Sequence, residues 1–267
     1  MSPQPRPAST SGADLELAFT ECFSSMLTLG RQLSEDEWNH ASLCPGWSCK
    51  DALVHVTSAE TAFADWTPSP EPPMAAIMEI GRMLRRQSGA DVLGAFEAIT
   101  NRRAEQLRNM TEAAFDAVGW SPAGMGPYRR YMEIRVFDHW AHEQDIRVPL
   151  NRPGHLEGRG PTMSLNEAHI AFGYLFGKRA AAPEGASVTV HVTGSIERDL
   201  HAAVEGRAKI LDELHDPTCS VSTDFATFML LCCGRIDPEL PLRDGRVTIA
   251  GDTDLATRVA LSLAFTI

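Results

Sequence analysis

Three polar side chains in the segment 128–147 are spaced so that they could bind a metal ion. Asp138 and His142 are four residues apart, and Asp145 follows three residues later. In a helix these positions share one face with Arg135, and a carboxylate and an imidazole on one face are ligands for a divalent cation. Apolar residues flank this polar stripe on both sides, which indicates that it is folded into the interior of the protein.

His55 is the candidate for a third ligand, contributed by another helix. Ser48 and Asp51 form the S-x-x-D pattern of an N-terminal capping box, which predicts a helix from about residue 49 to 64. On this helix His55 lies on an apolar face, between small residues. Three protein ligands leave one coordination position open, which is typical of a catalytic rather than a structural site. Nitrogen and oxygen ligands suit Zn²⁺ without excluding Ni²⁺, Fe²⁺ or Mn²⁺.

Each of these residues also has an ordinary structural explanation. A histidine on an apolar helix face, such as His55, is commonly a hydrogen-bonded core residue. A pair such as Asp138 and His142 is common on solvated helix surfaces, where it contributes about 0.2–0.5 kcal/mol. His139 competes with His142, since it is spaced to pair with Glu143 on a different face. The spacing alone therefore leaves both interpretations open.

Apolar residues at helical spacing predict a four-helix bundle between residues 14 and 150. Its long helices cover residues 14–33, 49–64, 91–110 and 128–147, and a shorter helix covers 74–86. On the third long helix, Arg102, Arg103 and Glu105 are predicted to face solvent. The preceding residues 1–13 are rich in Pro, Ser and Thr, which predicts a disordered N-terminus.

After a linker at residues 151–163, the chain mixes short strands with helices. Strict alternation predicts a strand at 188–193, and Glu205-Gly206-Arg207 predicts a bend between two short strands. The other predicted elements are helices at 164–176, 222–233 and 253–264 and strands at 219–221 and 246–250. This pattern predicts a small α+β domain at residues 164–267, so the fold class of the whole chain is α+β, with a helical bundle first.

The composition disfavours several classes of partner. The chain has 267 residues, 43% of them hydrophobic, and a formal net charge of −11. That charge disfavours nucleic acid and anionic membranes as partners, and no apolar run approaches the roughly 18 residues of a membrane-spanning helix. The six cysteines form no C-x-x-C pair, which predicts reduced thiols in a cytoplasm. We therefore expect a cytoplasmic protein that acts on small molecules as a monomer or homodimer.

Motifs around His55 and His142 resemble those of a known family. They are Trp38, Leu43-Cys44-Pro45-Gly46-Trp47-Ser48, Arg135-Val136-Phe137-Asp138 and Trp140-Ala141-His142-Glu143-Gln144-Asp145-Ile146-Arg147. Later segments with the same resemblance are Gly177-Lys178-Arg179-Ala180, Pro183-Glu184-Gly185, Val192-Thr193-Gly194, Gly206-Arg207-Ala208, Gly234-Arg235 and Gly251-Asp252-Thr253-Asp254-Leu255-Ala256. Together they resemble the mycothiol-dependent maleylpyruvate isomerase family, an actinobacterial branch of the DinB-like metalloproteins.

The resemblance implies a DinB-like bundle that holds a divalent metal, usually zinc, through a histidine and an acid-x-x-x-His pair. These ligands correspond to His55, Asp138 and His142. The isomerase has Glu in place of Asp138, so the shorter carboxylate binds the metal either directly or through water. The resemblance also implies mycothiol as a thiol co-substrate that the metal activates. Arg235 is the candidate cation for a substrate carboxylate, and Asp145 is the candidate to orient a ligand or bind a mycothiol hydroxyl.

From this resemblance we expect a metal- and mycothiol-dependent S-transferase, in which the thiolate attacks a small electrophile in detoxification or secondary metabolism. Such chemistry serves many electrophiles. The alternative is a cis–trans isomerase of the maleylpyruvate type, in which the thiolate adds to a cis double bond, rotation follows and the thiol leaves. Two further alternatives are a metal-dependent hydrolase of a thiol conjugate or amide and a non-catalytic metal-binding module. The sequence alone does not decide among them.

Overall fold

The structure of the protein is a computed structural model that describes residues 10–266. It divides into two compact units, one from Thr10 to Ser164 and one from Leu165 onward. The first unit is helical and the second contains a five-stranded sheet, so the predicted α+β class is confirmed. The predicted disorder of residues 1–9 lies outside the described residues.

The N-terminus is ordered earlier than predicted. Helix α1 (Gly12–Gly30) begins at Gly12, and the Ser11 side chain caps it by accepting a hydrogen bond from the Asp14 amide. Residues 10–13, predicted to be disordered, are therefore folded, and the disorder prediction is wrong for them. The physical reason is that Ser11 provides an acceptor for the free amides at the start of the helix.

The first unit is a bundle in which α1 packs against α5 and α7, and α3 packs against the same two helices. Its further helices are α2 (Glu35–Trp38), α3 (Cys49–Ala64), α4 (Met74–Leu84), α5 (Gly89–Asn109), α6 (Glu112–Phe115) and α7 (Tyr128–Arg147). A short antiparallel pair, β1 (Val118–Gly119) and β2 (Gly126–Pro127), precedes α7. The predicted helices at 49–64 and 128–147 have the predicted bounds.

The start of α3 is fixed by the predicted capping box. The Ser48 side chain accepts a hydrogen bond from the Asp51 amide at 3.1 Å, and the Asp51 side chain accepts one from the Ser48 amide at 3.0 Å. The turn before it needs Gly46, whose φ of 78° is in the left-handed region. The Leu43 amide donates to the Asp145 carbonyl at 3.0 Å and so joins this turn to α7. These contacts place His55 in the second turn of α3.

The connection to the second unit is shorter than predicted. Helix α8 (Arg159–Tyr174) begins within the predicted linker at 151–163. Pro161 lies in its first turn, where backbone N–H groups have no partner within the helix, so a proline costs no hydrogen bond. Glu21 of α1 accepts hydrogen bonds from the amides of Arg159 and Gly160 at 3.0 and 2.9 Å. This acceptor from another helix stabilises a start that the local sequence does not indicate.

The second unit is built on a sheet with strand order β5-β4-β3-β6-β7. The strands are β3 (Ser187–Thr193), β4 (Arg198–Glu205), β5 (Arg207–Leu211), β6 (Cys219–Asp224) and β7 (Val247–Gly251). The β3–β6 pair is parallel and the other pairs are antiparallel. In the register Val190 lies opposite Leu200 and Val221, so one sheet face is apolar at its centre. A π-helical turn (Leu175–Arg179) follows α8.

The remaining helices of this unit are α9 (Phe225–Cys232), α10 (Glu239–Asp244) and α11 (Thr253–Leu261). The predicted helix start at residue 222 is wrong, because β6 continues to Asp224 and pairs with both β3 and β7. Asp224 then caps α9 by accepting from the Thr227 amide at 2.9 Å. The predicted bend at Gly206 separates β4 from β5, as expected.

Two general features agree with the composition. Within residues 10–266, no helix combines the length and the apolar character that crossing a membrane requires. Five of the six cysteines are buried, as expected for small apolar side chains: Cys22, Cys49, Cys219, Cys232 and Cys233.

A buried histidine joins α1, α7 and the connection between the units. His155 has a left-handed backbone (φ 53°), and its side chain is 5% exposed. Its Nδ1 lies 2.7 Å from Glu143 Oε2, and its Nε2 lies 3.1 Å from Glu21 Oε1. Burial lowers the pKa of His155, but the two carboxylates outweigh burial and raise the pKa above its ordinary value. The folded protein therefore favours the charged imidazolium.

We predict that this contact makes stability depend on pH. A raised pKa in the folded state contributes stability that is present below the ordinary pKa of about 6.5 and is lost as pH rises through the folded value. His155→Asn tolerates the left-handed backbone but cannot become charged. Thermal unfolding at pH 6 and pH 8 should show a loss of about 1 kcal/mol for the variant at pH 6 and a smaller loss at pH 8. The exposed His215→Asn is the control, and an equal loss at both pH values contradicts the assignment.

Candidate metal centre

The three predicted ligands meet between α3 and α7. His55 Nε2 lies 3.4 Å from the Asp138 carboxylate, and His142 Nε2 lies 3.5 Å from Asp138 Oδ1. One ligand atom from each of the three side chains lies within 4.8 Å of the others. The structure therefore brings together residues that are 83 positions apart in the chain. That they bind a metal stays a prediction.

The centre is open on one side. The side chains of His55 and Asp138 are 33% and 25% exposed, whereas that of His142 is 9% exposed. A buried edge and an exposed edge suit a centre that holds an ion through protein ligands and admits a further ligand from solvent.

Asp145 contacts the imidazole of His142. Its Oδ2 lies 2.9 Å from His142 Nδ1, and the Asp145 side chain is 1% exposed. A carboxylate at Nδ1 favours the tautomer that carries the proton there, so that the Nε2 lone pair points toward His55 and Asp138. Of the two roles predicted for Asp145, this geometry supports the orienting role, because the buried carboxylate offers little surface to a mycothiol hydroxyl.

Trp47 forms a wall of the centre that the sequence analysis did not assign as a site residue. Its ring stacks on His142 with the centroids 5.6 Å apart and the planes at 16°. It also lies 5.4 Å from the His55 ring. The signal was its position in the Pro-Gly turn directly before the helix that carries His55. Trp47 therefore packs against both imidazoles and restricts their rotation.

Asp138 is kept ionised by its surroundings. Burial alone raises the pKa of this carboxyl, but the contacting Arg135 guanidinium, with a smaller contribution from His55, lowers the pKa well below its usual range. Arg135 Nη1 donates to Asp138 Oδ2. A carboxylate that binds a metal must be deprotonated, and this environment meets that requirement.

Two further charged residues in the core were missed. Glu60 of α3 is 1% exposed, and its Oε2 accepts a hydrogen bond from Arg103 Nε at 3.0 Å. Arg103 was predicted to face solvent, and this prediction is wrong, because the guanidinium is needed to neutralise Glu60. The sequence signal for this pair was Glu60 itself, a carboxylate within a helix whose neighbouring residues are mostly apolar.

His139 does not pair with Glu143 as the spacing suggested. Its Nε2 lies 3.1 Å from Glu60 Oε1, and burial lowers its pKa. Glu143 instead accepts a hydrogen bond from Arg147 at 2.6 Å. His139 therefore belongs to the buried charge network and does not compete with His142 at the candidate centre.

The donor set fits a divalent ion. Two imidazole nitrogens and one carboxylate oxygen are the ligands of many catalytic zinc centres, and they leave a coordination position open.

Arg235 lies in the second unit, after α9, where its Nη1 donates to the Cys233 carbonyl at 3.0 Å. Its predicted role in binding a substrate carboxylate stays a prediction.

Comparisons with known proteins agree over most of the chain. Residues 19–147 match the family model described as the mycothiol maleylpyruvate isomerase N-terminal domain, and residues 164–258 match the MDMPI C-terminal domain. The crystal structure of the mycothiol-dependent maleylpyruvate isomerase has a TM-score of 0.61 at 16% identity, over 90% of this chain and 93% of that chain. A histidine-to-alanine mutant of that enzyme has a TM-score of 0.60 at the same identity and coverage. At this identity the structures show a shared fold. No curated protein matches the chain.

We predict that His142→Ala loses its metal while it stays folded, because the apolar contacts of the bundle do not need this imidazole. The purified variant should contain only a small fraction of the metal found in the wild type by elemental analysis, with an unchanged circular dichroism spectrum. His191→Ala, a change of a half-exposed histidine in the second unit, should keep full occupancy. Full metal occupancy in His142→Ala means that the ligand assignment is wrong.

Proposed function

Because the chain belongs to the mycothiol maleylpyruvate isomerase family, we propose that it is a metal- and mycothiol-dependent cis–trans isomerase of a small dicarboxylate of the maleylpyruvate type. Both the family description and the matched crystal structure carry this activity in their names, which supports the isomerase over the S-transferase that the sequence favoured. The S-transferase is the second candidate, because the same centre suits either use of a thiol.

The observation that carries the proposal is that His55, Asp138 and His142 lie close together and that the first two are partly exposed to solvent. A divalent ion held there, which we expect to be zinc, supplies the Lewis acidity that keeps a thiol ionised near neutral pH. Asp145 fixes the orientation of His142, and Arg135 keeps Asp138 ionised. The exposed edges of His55 and Asp138 leave a path for mycothiol from solvent.

The reaction needs the thiol as a catalyst and not as a reagent. Addition of a thiolate to the cis double bond converts it to a single bond, about which the carbon chain rotates. Elimination of the same thiolate restores the double bond in the trans geometry, so no atom or electron is gained or lost overall. The substrate carries two carboxylates, and Arg235 is our candidate to hold one of them.

A thiol-balance assay tests this proposal. We would follow the ultraviolet spectrum of maleylpyruvate and titrate the remaining thiol, with and without mycothiol. We expect turnover only when mycothiol is present and no loss of thiol as the cis isomer disappears. Stoichiometric thiol loss with a conjugate visible by mass spectrometry supports the S-transferase instead. Turnover without thiol indicates a hydrolase, and metal binding without any turnover indicates a binding module.

We also predict that Arg235→Ala weakens substrate binding. Loss of a charge-assisted hydrogen bond to a carboxylate is worth about 2 kcal/mol, so KM for the dicarboxylate should rise on the order of tenfold or more. KM for mycothiol should change little, and Arg235→Lys should recover part of the loss. Arg243→Ala removes an exposed arginine of the same unit and is the control. If KM for the dicarboxylate is unchanged in Arg235→Ala, the assignment of Arg235 as a substrate-binding residue is wrong.

A further inference from the structure

The two oxygens of Asp138 have different surroundings. Oδ1 faces both imidazoles, at 3.4 Å from His55 Nε2 and 3.5 Å from His142 Nε2. Oδ2 is also 3.4 Å from His55 Nε2, but it accepts a hydrogen bond from Nη1 of Arg135, one turn earlier on the same helix. Oδ1 therefore lies near both imidazoles, whereas Oδ2 lies near one imidazole and accepts a hydrogen bond from a guanidinium.

Arg135 is itself held in place from another helix. Its Nε and Nη2 both donate to Glu60 Oε1, at 3.1 and 2.9 Å. Glu60 is 1% exposed and Arg135 is 6% exposed, so neither charge is solvated. The planar guanidinium contacts Glu60 through one edge and Asp138 through another, which a point charge cannot reproduce.

The number of charges indicates that Arg135 does more than neutralise Glu60. Arg103 already donates to the other oxygen of Glu60, and it donates to the Tyr128 hydroxyl at 3.0 Å. The buried Glu60 and the partly exposed Asp138 thus share two guanidiniums. Arg135 is the one that contacts both. Buried ion pairs are commonly no more stabilising than apolar residues of the same size, so stability alone does not explain this arrangement.

We propose that Glu60 and Arg135 are positioning residues of the metal centre, which hold Asp138 so that it binds a divalent cation through a single oxygen. The inference rests on the proposed metal centre and adds its coordination mode. A carboxylate that chelates through both oxygens takes two coordination positions. With Oδ2 engaged by Arg135, the second of these positions would stay free for a thiol from solvent.

The test compares Arg135→Lys with Arg135→Met, using Co²⁺ and Zn²⁺ alone as probes. Lysine keeps the positive charge but cannot contact Glu60 and Asp138 in the same forked geometry, whereas methionine removes the charge as well. If the forked contact of Arg135 is what positions Asp138, neither variant holds Oδ2 in place, and Oδ2 becomes free to bind the ion. The visible absorption of the Co²⁺ protein should then weaken in both, as expected when a carboxylate oxygen is added to the ion. Zinc affinity of Arg135→Lys, measured by chelator competition, should fall by about tenfold.

Tyr128→Phe is the matched control. It removes the hydrogen bond between Arg103 and Tyr128 and leaves the hydrogen bonds of Arg135 to Glu60 and Asp138 in place. We expect it to change the thermal stability of the metal-free protein and to leave the Co²⁺ spectrum and the zinc affinity as in the wild type. Glu60→Gln, which weakens the anchor of Arg135, should shift the Co²⁺ spectrum in the same direction as Arg135→Lys.

The outcomes separate the two proposals. A wild-type Co²⁺ spectrum and zinc affinity in Arg135→Lys show that charge alone matters, and they overturn the positioning role. A loss of stability in both Arg135 variants with an unchanged Co²⁺ spectrum also overturns the positioning role. If the wild type binds no stoichiometric Co²⁺, or if His142→Ala binds it equally well, the metal centre itself is wrong and the positioning role falls with it.

Discussion

Burial of charge between α3, α5 and α7 is tolerable because each charged side chain has a partner on another helix. An unpaired ion in the interior costs several kcal/mol. Glu60 of α3 is neutralised by Arg103 of α5 and Arg135 of α7. A shift of α3 along α7 by one turn, about 5.4 Å, would break these pairs and move His55 away from Asp138. The pairing that folding requires therefore also fixes the geometry of the candidate centre.

This constraint gives the centre one rigid side and one open side. On the rigid side Asp145, Arg135 and Trp47 contact the ligand residues and restrict their motion. On the open side the edges of His55 and Asp138 meet solvent. A thiol enzyme needs both properties, because the ion must keep its protein ligands while thiol and substrate exchange. The buried network thus links the stability of the bundle to the chemistry that we propose for it.

The parts of this arrangement that depend on local sequence were predictable. The capping box at Ser48 gave the start of α3, and the spacing of Asp138 and His142 gave two neighbouring ligands on one helix face. The long-range partners were not predictable in this way. Arg103 follows Arg102 on a helix that looks solvated, and its burial is explained by distant partners, Glu60 and Tyr128. The start of α8 depends on Glu21 of α1, and the end of β6 depends on pairing with two distant strands.

Anomalous diffraction at the zinc absorption edge, from crystals of the zinc-loaded protein, tests the candidate centre most directly. We expect one strong peak between α3 and α7, at bonding distance from His55 Nε2, His142 Nε2 and one oxygen of Asp138. A map with no peak among these three side chains, or with the ion bound elsewhere, would contradict the metal centre and the thiol chemistry that depends on it.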